Sequence, residues 1–223
     1  TVQGIYFHIP YCLSKCRYCD FYSLGGSAAV PREYVDALLR ELARLRWQLP
    51  GAPDTLYFGG GTPSLLRPAQ LAQLIDAAQP RAGAEITLEA NPETLTPALL
   101  RGFFAAGANR LSLGVQTAMD ESLRRMGRPH TAAQARQALL WAQEVGFTNL
   151  SGDVMLALPG YTQKELNATL ELLDSGGCTH ISCYLLKLEP GTPWGKAPPA
   201  HLPGDDEAAD FYLATLNHAP PAG

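Results

Sequence analysis

Short apolar runs alternate regularly with longer segments of helical periodicity, and this pattern limits the fold more than any other property of the sequence. Runs of strand length recur six times, each followed by a segment whose apolar residues are spaced as on one helix face. The predicted strands cover residues 3–9, 54–60, 85–91, 110–116, 150–160 and 180–190. The predicted helices cover residues 31–49, 68–78, 97–106, 131–146, 162–176 and 207–218. Such alternation indicates an α/β fold with a parallel sheet, either open and doubly wound or part of a β/α barrel.

Capping residues mark several of these helices. Thr96 is placed to cap a helix that has Pro97 at its first position, and Thr131 and Gly146 are placed as the N-cap and C-cap of the helix between them.

The chemically unusual residues lie where either architecture would place a functional site, at the carboxyl ends of the strands. Three cysteines follow the first strand, and glycines 59–61 end the second. Glu89 ends the third strand, Gln116 ends the fourth, and Asp153 interrupts the apolar fifth.

The three cysteines are Cys12, Cys16 and Cys19, in the run HIPYCLSKCRYCDFYS. Thiolates with this spacing can bind three corners of a cubane iron–sulfur cluster and leave the fourth iron open to a substrate. A zinc site completed by a histidine such as His8 is an alternative, although structural zinc usually uses well-separated cysteine pairs. Three incidental buried cysteines are the remaining explanation.

Composition excludes several function classes. The net charge of −4 and scattered Lys and Arg residues do not form a nucleic-acid surface, and no apolar run is long enough for a membrane span. The first residues, TVQGIYFHIP, lack the pattern of a secretory signal. Five cysteines, an odd number, argue against a disulfide framework, so we expect a cytoplasmic protein.

Six segments together resemble the radical S-adenosylmethionine (SAM) superfamily, and within it the group of haem chaperones (HemW) and oxygen-independent coproporphyrinogen III oxidases (HemN). They are YFHIPYCLSKCRYCDFYS, YFGGGTPSLL, ITLEANPETL, RLSLGVQTAMDESLRRMGRPHT, GDVMLALPGYT and YLLKLEPGTP, in order over residues 4–195. The resemblance implies a partial (β/α)6 barrel similar to a TIM barrel. It also implies a [4Fe–4S] cluster on Cys12, Cys16 and Cys19, with SAM at the open iron.

The resemblance also assigns residues to the SAM site. The implied SAM contacts are Tyr6, Tyr18, Gly60, Gly61, Thr62, Glu89, Gln116, Arg128 and Asp153. Structural alternatives remain for several of them: a plain tight turn at the glycines, an exposed acid at Glu89, a core tyrosine at Tyr6, and an internal ion pair at Asp153. Asn91, which precedes a proline, is ranked below these residues as turn chemistry.

One departure from the group's pattern bears on activity. HemN-like dehydrogenases resemble Cys-x3-Cys-x2-Cys-x-Cys around the cluster, whereas Phe21 occupies the position of the last cysteine here. The resemblance therefore favours a haem chaperone over a coproporphyrinogen III oxidase and leaves enzymatic activity open. It implies haem or porphyrin, an electron donor such as flavodoxin or ferredoxin, and haem-receiving client proteins as partners. Candidate haem ligands are His130, His180 and His201, while Cys178 and Cys183 fit ordinary buried cysteines.

The chain after the sixth strand changes character. Residues 196–206 are rich in proline, and the helix predicted after them leaves its apolar side without a following partner. We therefore expect a radical SAM core over residues 1–195. Residues 196–223 are expected to be a linker and the start of a C-terminal domain that is missing or truncated.

Overall fold

The computed structural model describes residues 2–218 and contains six parallel strands joined by helices. The strands are β1 (Gly4–Ile9), β2 (Thr55–Gly60), β3 (Glu85–Ala90), β4 (Arg110–Gln116), β5 (Asn149–Leu156) and β6 (His180–Leu185). The helices are α1 (Arg32–Leu45), α2 (Pro68–Ala78), α3 (Pro97–Ala105), α4 (Asp120–Met126), α5 (Ala132–Val145), α6 (Gln163–Ser175), α7 (Pro193–Lys196) and α8 (Asp205–Leu216). Residues 219–223, the end of the predicted C-terminal region, lie outside the described part.

The strand order decides between the two predicted architectures. The strands pair in their order along the chain, from β1 to β6, without the reversal that defines a doubly wound sheet. A sequential parallel sheet is the arrangement of a β/α barrel. Across the described residues β1 pairs with β2 and β6 with β5, so the sheet is a six-stranded partial barrel.

The two faces of the sheet differ in polarity. Side chains on the convex face are apolar and buried beneath the helices, and the rings of Phe7 and Phe58 stack there with centroids 4.7 Å apart. The concave face carries polar side chains such as Glu89, Ser112 and Asp153. This alternation within parallel strands places the polar groups inside the partial barrel, where a ligand can reach them.

The predicted caps are confirmed. Thr96 Oγ1 accepts a hydrogen bond from the Leu99 amide, and Thr131 forms a capping box with Gln134. Gly146 ends α5 with a φ of 115°, which a residue with a side chain rarely adopts.

Two predicted strands are too long. The fifth ends at Leu156 rather than 160, since Ala157 turns the chain with a φ of 57°. The sixth ends at Leu185 rather than 190, and the residues that follow form a loop that reaches the cavity described below.

The last helix packs on the barrel. Phe211 of α8 is buried, and its ring meets that of Tyr161 edge-on with centroids 4.9 Å apart. Leu213 and Leu216 on the same helix remain exposed. The predicted division into residues 1–195 and 196–223 stays a prediction.

Candidate functional site

A cavity of about 460 Å³ opens at the carboxyl ends of the strands. All but one of the residues predicted for the site line it: Cys12, Cys16, Tyr18, Cys19, Gly60, Gly61, Thr62, Glu89, Gln116, Arg128 and Asp153. Their convergence from the cysteine loop, four strand ends and the α4–α5 connection makes this cavity the candidate site.

The cysteine loop is held by backbone hydrogen bonds at both ends. Cys12 donates its amide to the carbonyl of Leu24 at 2.9 Å, which closes the loop on itself. Arg17, between the second and third cysteines, donates its amide to Met126 and accepts from the amide of Trp194. These bonds anchor the loop to the end of α4 and the first turn of α7.

The three thiols are free and partly buried. Burial raises the pKa of Cys16 and of Cys19, although the positive charge of Arg128 acts in the opposite direction on both. Within residues 2–218 no three His, Cys, Asp or Glu side chains are grouped closely enough to hold one metal ion, so the preference for a cluster over zinc rests on the cysteine spacing. Thiols that line one cavity can serve as metal ligands once they are deprotonated.

The glycine turn after β2 permits a close approach between backbones. A Cβ on Gly61 would lie 2.7 Å from the carbonyl oxygen of Tyr11 and 2.9 Å from that of Ile9. The Gly61 amide donates to that Ile9 carbonyl at 2.8 Å. Glycine is thus required here to join the end of β2 to the cysteine loop.

Glu89 lines the cavity with its carboxylate oriented by two donors. The Tyr57 hydroxyl donates to Oε1 at 2.7 Å, and the Gly60 amide donates to Oε2 at 3.2 Å. Burial raises the pKa of Glu89 above its usual range, although these two hydrogen bonds act in the opposite direction. The predicted alternative of a plain exposed acid is wrong, because the side chain is half-buried and hydrogen-bonded.

Asp153 faces the same cavity from β5. Ser112 donates to its Oδ1 at 3.2 Å, and Ser182 also hydrogen-bonds to it. Burial raises the pKa of this carboxyl group. Among the ion pairs of the described residues none includes Asp153, so the predicted alternative of a satisfied internal ion pair is wrong.

Arg128 connects the cysteine loop to the strand ends. Its Nη1 donates to Asn91 Oδ1 at 2.9 Å and its Nη2 to the Tyr18 hydroxyl at 3.3 Å. The Nε atom is buried and has no hydrogen-bond partner in the described part of the chain. A buried donor without a partner is costly, which indicates a place for a ligand oxygen.

Two aromatic residues complete this side of the site. Burial raises the pKa of Tyr18 to about 12, so the phenol stays protonated. The ring of Trp194, a buried residue, lies 6.1 Å from that of Tyr18, centroid to centroid. The sequence interpretation underrated Asn91, which lines the cavity, and missed Trp194, which packs against Tyr18 without lining the cavity. A tryptophan in a Pro- and Gly-rich segment was the available signal.

Gln116 is buried at the end of β4 in a strained conformation. Its φ is 68°, where the pairing register of β4 with β5 shifts. Strained left-handed conformations at residues other than glycine cluster at functional sites, which agrees with the position of Gln116 in the cavity lining.

Tyr6 is the predicted SAM contact that the structure does not bring to the cavity. Its ring is 56% exposed and stacks on Tyr57 at 5.9 Å, lower on the concave face. The predicted alternative, a core tyrosine, is wrong, because Tyr6 is exposed on β1, which pairs only with β2 among the described residues. The SAM contact at Tyr6 stays a prediction.

The candidate haem ligands differ in accessibility. His130 is buried, with Nε2 3.3 Å from the Val115 carbonyl oxygen and Nδ1 3.2 Å from a carboxylate oxygen of Glu93. His180 and His201 are both exposed, and His180 Nδ1 lies 2.8 Å from the Ser151 hydroxyl. Both nitrogens of His130 face protein oxygens, so His180 and His201 are the accessible candidates.

Comparison with known proteins decides the family. The family model of the radical SAM superfamily matches residues 6–173. The chain belongs to this superfamily. A radical SAM protein carries a [4Fe–4S] cluster and SAM, as the cysteine spacing predicts, and the matched residues contain the whole cysteine loop.

Curated radical SAM relatives share more than a third of the sequence. The chain is 37% identical over 215 residues to the heme chaperone HemW of Escherichia coli (strain K12), covering 94% of this chain and 57% of that protein. It is 36% identical over 229 residues to HemW of Bacillus subtilis, covering 97% and 59%. The chain therefore spans little more than half the length of these relatives.

Solved structures confirm the partial barrel. Coproporphyrinogen III oxidase (HemN) from Escherichia coli superposes with a TM-score of 0.84 at 28% identity, over 97% of this chain and 52% of that one. Methylornithine synthase (PylB) superposes with a TM-score of 0.68 at 12% identity, over 97% and 61%, and shows the fold alone.

The residues around the cavity of this radical SAM protein fit both cofactors. Three thiols form an incomplete ligand set for a cubane, which leaves one iron open. We propose that Glu89 and Asp153 accept hydrogen bonds from the SAM amino group and attract its cationic sulfonium, and that the free Nε of Arg128 donates to its carboxylate. In radical SAM chemistry the bound cluster and SAM supply one electron and a carbon-centred radical, and the residues of this cavity would orient SAM and exclude water.

Glu89 gives a pH-dependent prediction. The pKa of the Glu89 carboxyl group is raised in the folded chain, so ionising it lowers the free energy of unfolding. This loss of stability grows as the pH rises through the usual glutamate pKa, about 4.3. Glu89→Gln keeps both contacts, since the Tyr57 hydroxyl can accept as well as donate. At pH 7 we expect the cofactor-free Glu89→Gln chain to unfold at a higher temperature than the cofactor-free wild type. Near pH ~4 the difference between their unfolding temperatures should be smaller.

The same variant should bind SAM more weakly at pH 7. Exposed Glu207→Gln is the control for loss of one negative charge, and it should change neither property. An equal stability gap at both pH values would contradict the assignment of the cost to the ionised carboxylate.

None of the helices in the described part combines the length and the apolar character needed to span a bilayer.

Proposed function

We propose that this chain is the radical SAM core of a haem chaperone of the HemW type. The observation that carries the proposal is its 35–37% identity to HemW of Escherichia coli and Haemophilus influenzae, over 94% of the chain in both comparisons. In this proposal the cluster and SAM have structural or regulatory roles, and the chain binds haem for delivery to client proteins.

Exposed aromatic residues beside the cysteine loop support the proposal that the chain binds a planar, largely apolar ligand. Phe21 lines the cavity and is 70% exposed, and Tyr22 next to it is 74% exposed. Exposed aromatic rings at the mouth of a polar cavity can stack on a porphyrin face, and burying that surface favours binding.

A second function is oxidative decarboxylation of coproporphyrinogen III, which a HemN-type enzyme performs. The superposition on HemN favours it, since the whole described barrel matches. Phe21 opposes it, because the resemblance implies a cysteine at that position in HemN-like dehydrogenases.

Two anaerobic assays on the reconstituted chain test these functions. We expect haem titration to give a saturable Soret shift, and incubation with coproporphyrinogen III, SAM and a reductant to give no protoporphyrinogen. Protoporphyrinogen formation would replace the chaperone proposal with the oxidase, and the absence of both haem binding and turnover would contradict both functions.

Phe21→Ala gives the haem proposal a residue-level test. Losing a stacked aromatic should weaken haem binding severalfold, by about 0.5–1.5 kcal/mol beyond the buried area. Trp47→Ala is the matched control, because Trp47 is 81% exposed and does not line the cavity. Equal haem affinity in both variants would remove Phe21 from the haem surface.

The partners and compartment belong to the same proposal. A one-electron donor such as flavodoxin or ferredoxin would reduce the cluster, and haem-receiving proteins would be the clients. The cytoplasm is the proposed compartment, because five free thiols, three of them cluster ligands, need reducing surroundings.

A further inference from the structure

A continuous chain of hydrogen bonds runs from Tyr18 to Cys12 across the strand ends. Arg128 donates to Tyr18 at 3.3 Å and to Asn91 Oδ1 at 2.9 Å. Asn91 Nδ2 donates to Thr62 Oγ1 at 3.1 Å, and Thr62 Oγ1 donates to Cys12 Sγ at 3.5 Å. Both ends of this chain lie in the cysteine loop.

The direction of each hydrogen bond is determined by the groups involved. A guanidinium can only donate, so the Asn91 oxygen must face Arg128 and its amide nitrogen must face Thr62. The Thr62 hydroxyl oxygen accepts from that nitrogen, which leaves its single proton for the Cys12 sulfur. Asn91 thus sets the direction in which the Thr62 hydroxyl points.

Packing holds the chain in place. Thr62 is 2% exposed. Asn91 and Arg128 lie against Gly114 of β4, where a Cβ would lie 2.8 Å from Asn91 Oδ1 and 3.4 Å from Arg128 Nη2. With no side chain at Gly114 and little solvent at Thr62, the hydroxyl has few alternative orientations.

A hydrogen bond to a cysteine sulfur affects the redox equilibrium of an iron–sulfur cluster. The reduced cluster carries one more negative charge, so a donor at the sulfur favours reduction and raises the potential. We propose that Thr62 raises the reduction potential of the cluster through its hydrogen bond to Cys12, and that Asn91 is the positioning residue that directs this hydroxyl. The proposal concerns the cluster alone and does not depend on haem binding.

The test is a redox titration of the anaerobically reconstituted chain, followed by the electron paramagnetic resonance signal of the reduced cluster. Thr62→Val removes the hydroxyl and keeps the shape. We expect its reduction equilibrium constant to fall about tenfold, which is ~59 mV for a one-electron couple. Thr62→Ser keeps the hydroxyl and should titrate close to wild type.

Asn91→Ala tests the positioning role. It should lower the midpoint in the same direction, and its effect should largely disappear in the Thr62→Val background, because both act through one hydrogen bond. An unshifted midpoint in Thr62→Val with full iron content, or fully additive shifts in the double variant, would overturn the proposal. If Thr62→Val takes up no cluster, Asn91→Ala alone decides: a lowered midpoint supports the proposal and an unshifted one overturns it.

Discussion

Replacing Cys12, Cys16 or Cys19 singly with alanine should abolish assembly of the [4Fe–4S] cluster. The three thiols line one cavity on a loop that is fixed by backbone contacts, and no other cysteine lines that cavity. Losing one of the three ligands leaves two irons without a protein thiolate, and two thiolates are too few to retain the cluster. Iron and sulfide analysis after anaerobic reconstitution should fall from about four irons per chain to near zero, with loss of the brown charge-transfer absorbance.

The chain supplies matched controls for this experiment. Cys178 and Cys183 are also free and partly buried, but Cys178 precedes β6, Cys183 lies within it, and neither lines the cavity. Cys178→Ala and Cys183→Ala should assemble a full cluster. Full iron content in all three loop variants would show that the ligand assignment is wrong.

Arg128→Lys should weaken SAM binding by about tenfold to a hundredfold while the cluster still assembles. Lysine keeps the positive charge but lacks the planar guanidinium group of arginine. In Arg128 the two Nη atoms of that group contact Asn91 and Tyr18, and the Nε atom remains free for a ligand. Loss of one charge-assisted hydrogen bond costs about 1.5–3 kcal/mol, which sets this range. Calorimetric titration with SAM after anaerobic reconstitution measures the change.

Arg124→Lys is the control for this variant, since Arg124 is exposed on α4 and does not line the cavity. It should bind SAM as wild type does. If Arg128→Lys binds SAM with unchanged affinity at full iron content, Arg128 does not belong to the SAM site.

Local sequence signals predicted the elements well because they depend on neighbouring residues. The caps at Thr96, Thr131 and Gly146 lie where predicted, since each satisfies backbone groups within its own helix. The ends of the strands were predicted less accurately. The apolar run over residues 150–160, for example, continues past the turn at Ala157, where β5 has already ended.

The site residues show where sequence reasoning stops. The cysteine spacing and the strand-end rule predicted part of the lining of the cavity, because parallel strands bring their carboxyl ends together. Tyr18, Thr62 and Arg128 came from the family resemblance. The position of Tyr6 could not be read in this way, because exposure depends on what covers an edge strand. Asn91 appeared to be turn chemistry, and only the distances to Arg128 and Thr62 show what its amide does.

The assignment of Cys12, Cys16 and Cys19 leaves one iron of the cluster open, and we infer that SAM binds this iron through its amino and carboxylate groups. Electron–nuclear double resonance of the reduced chain with SAM labelled by ¹⁵N at the amino group measures this contact directly. We predict a ¹⁵N hyperfine coupling to the cluster that disappears when unlabelled SAM is used. An intact, reduced cluster that shows no such coupling at saturating labelled SAM would contradict the binding of the SAM amino group to the open iron.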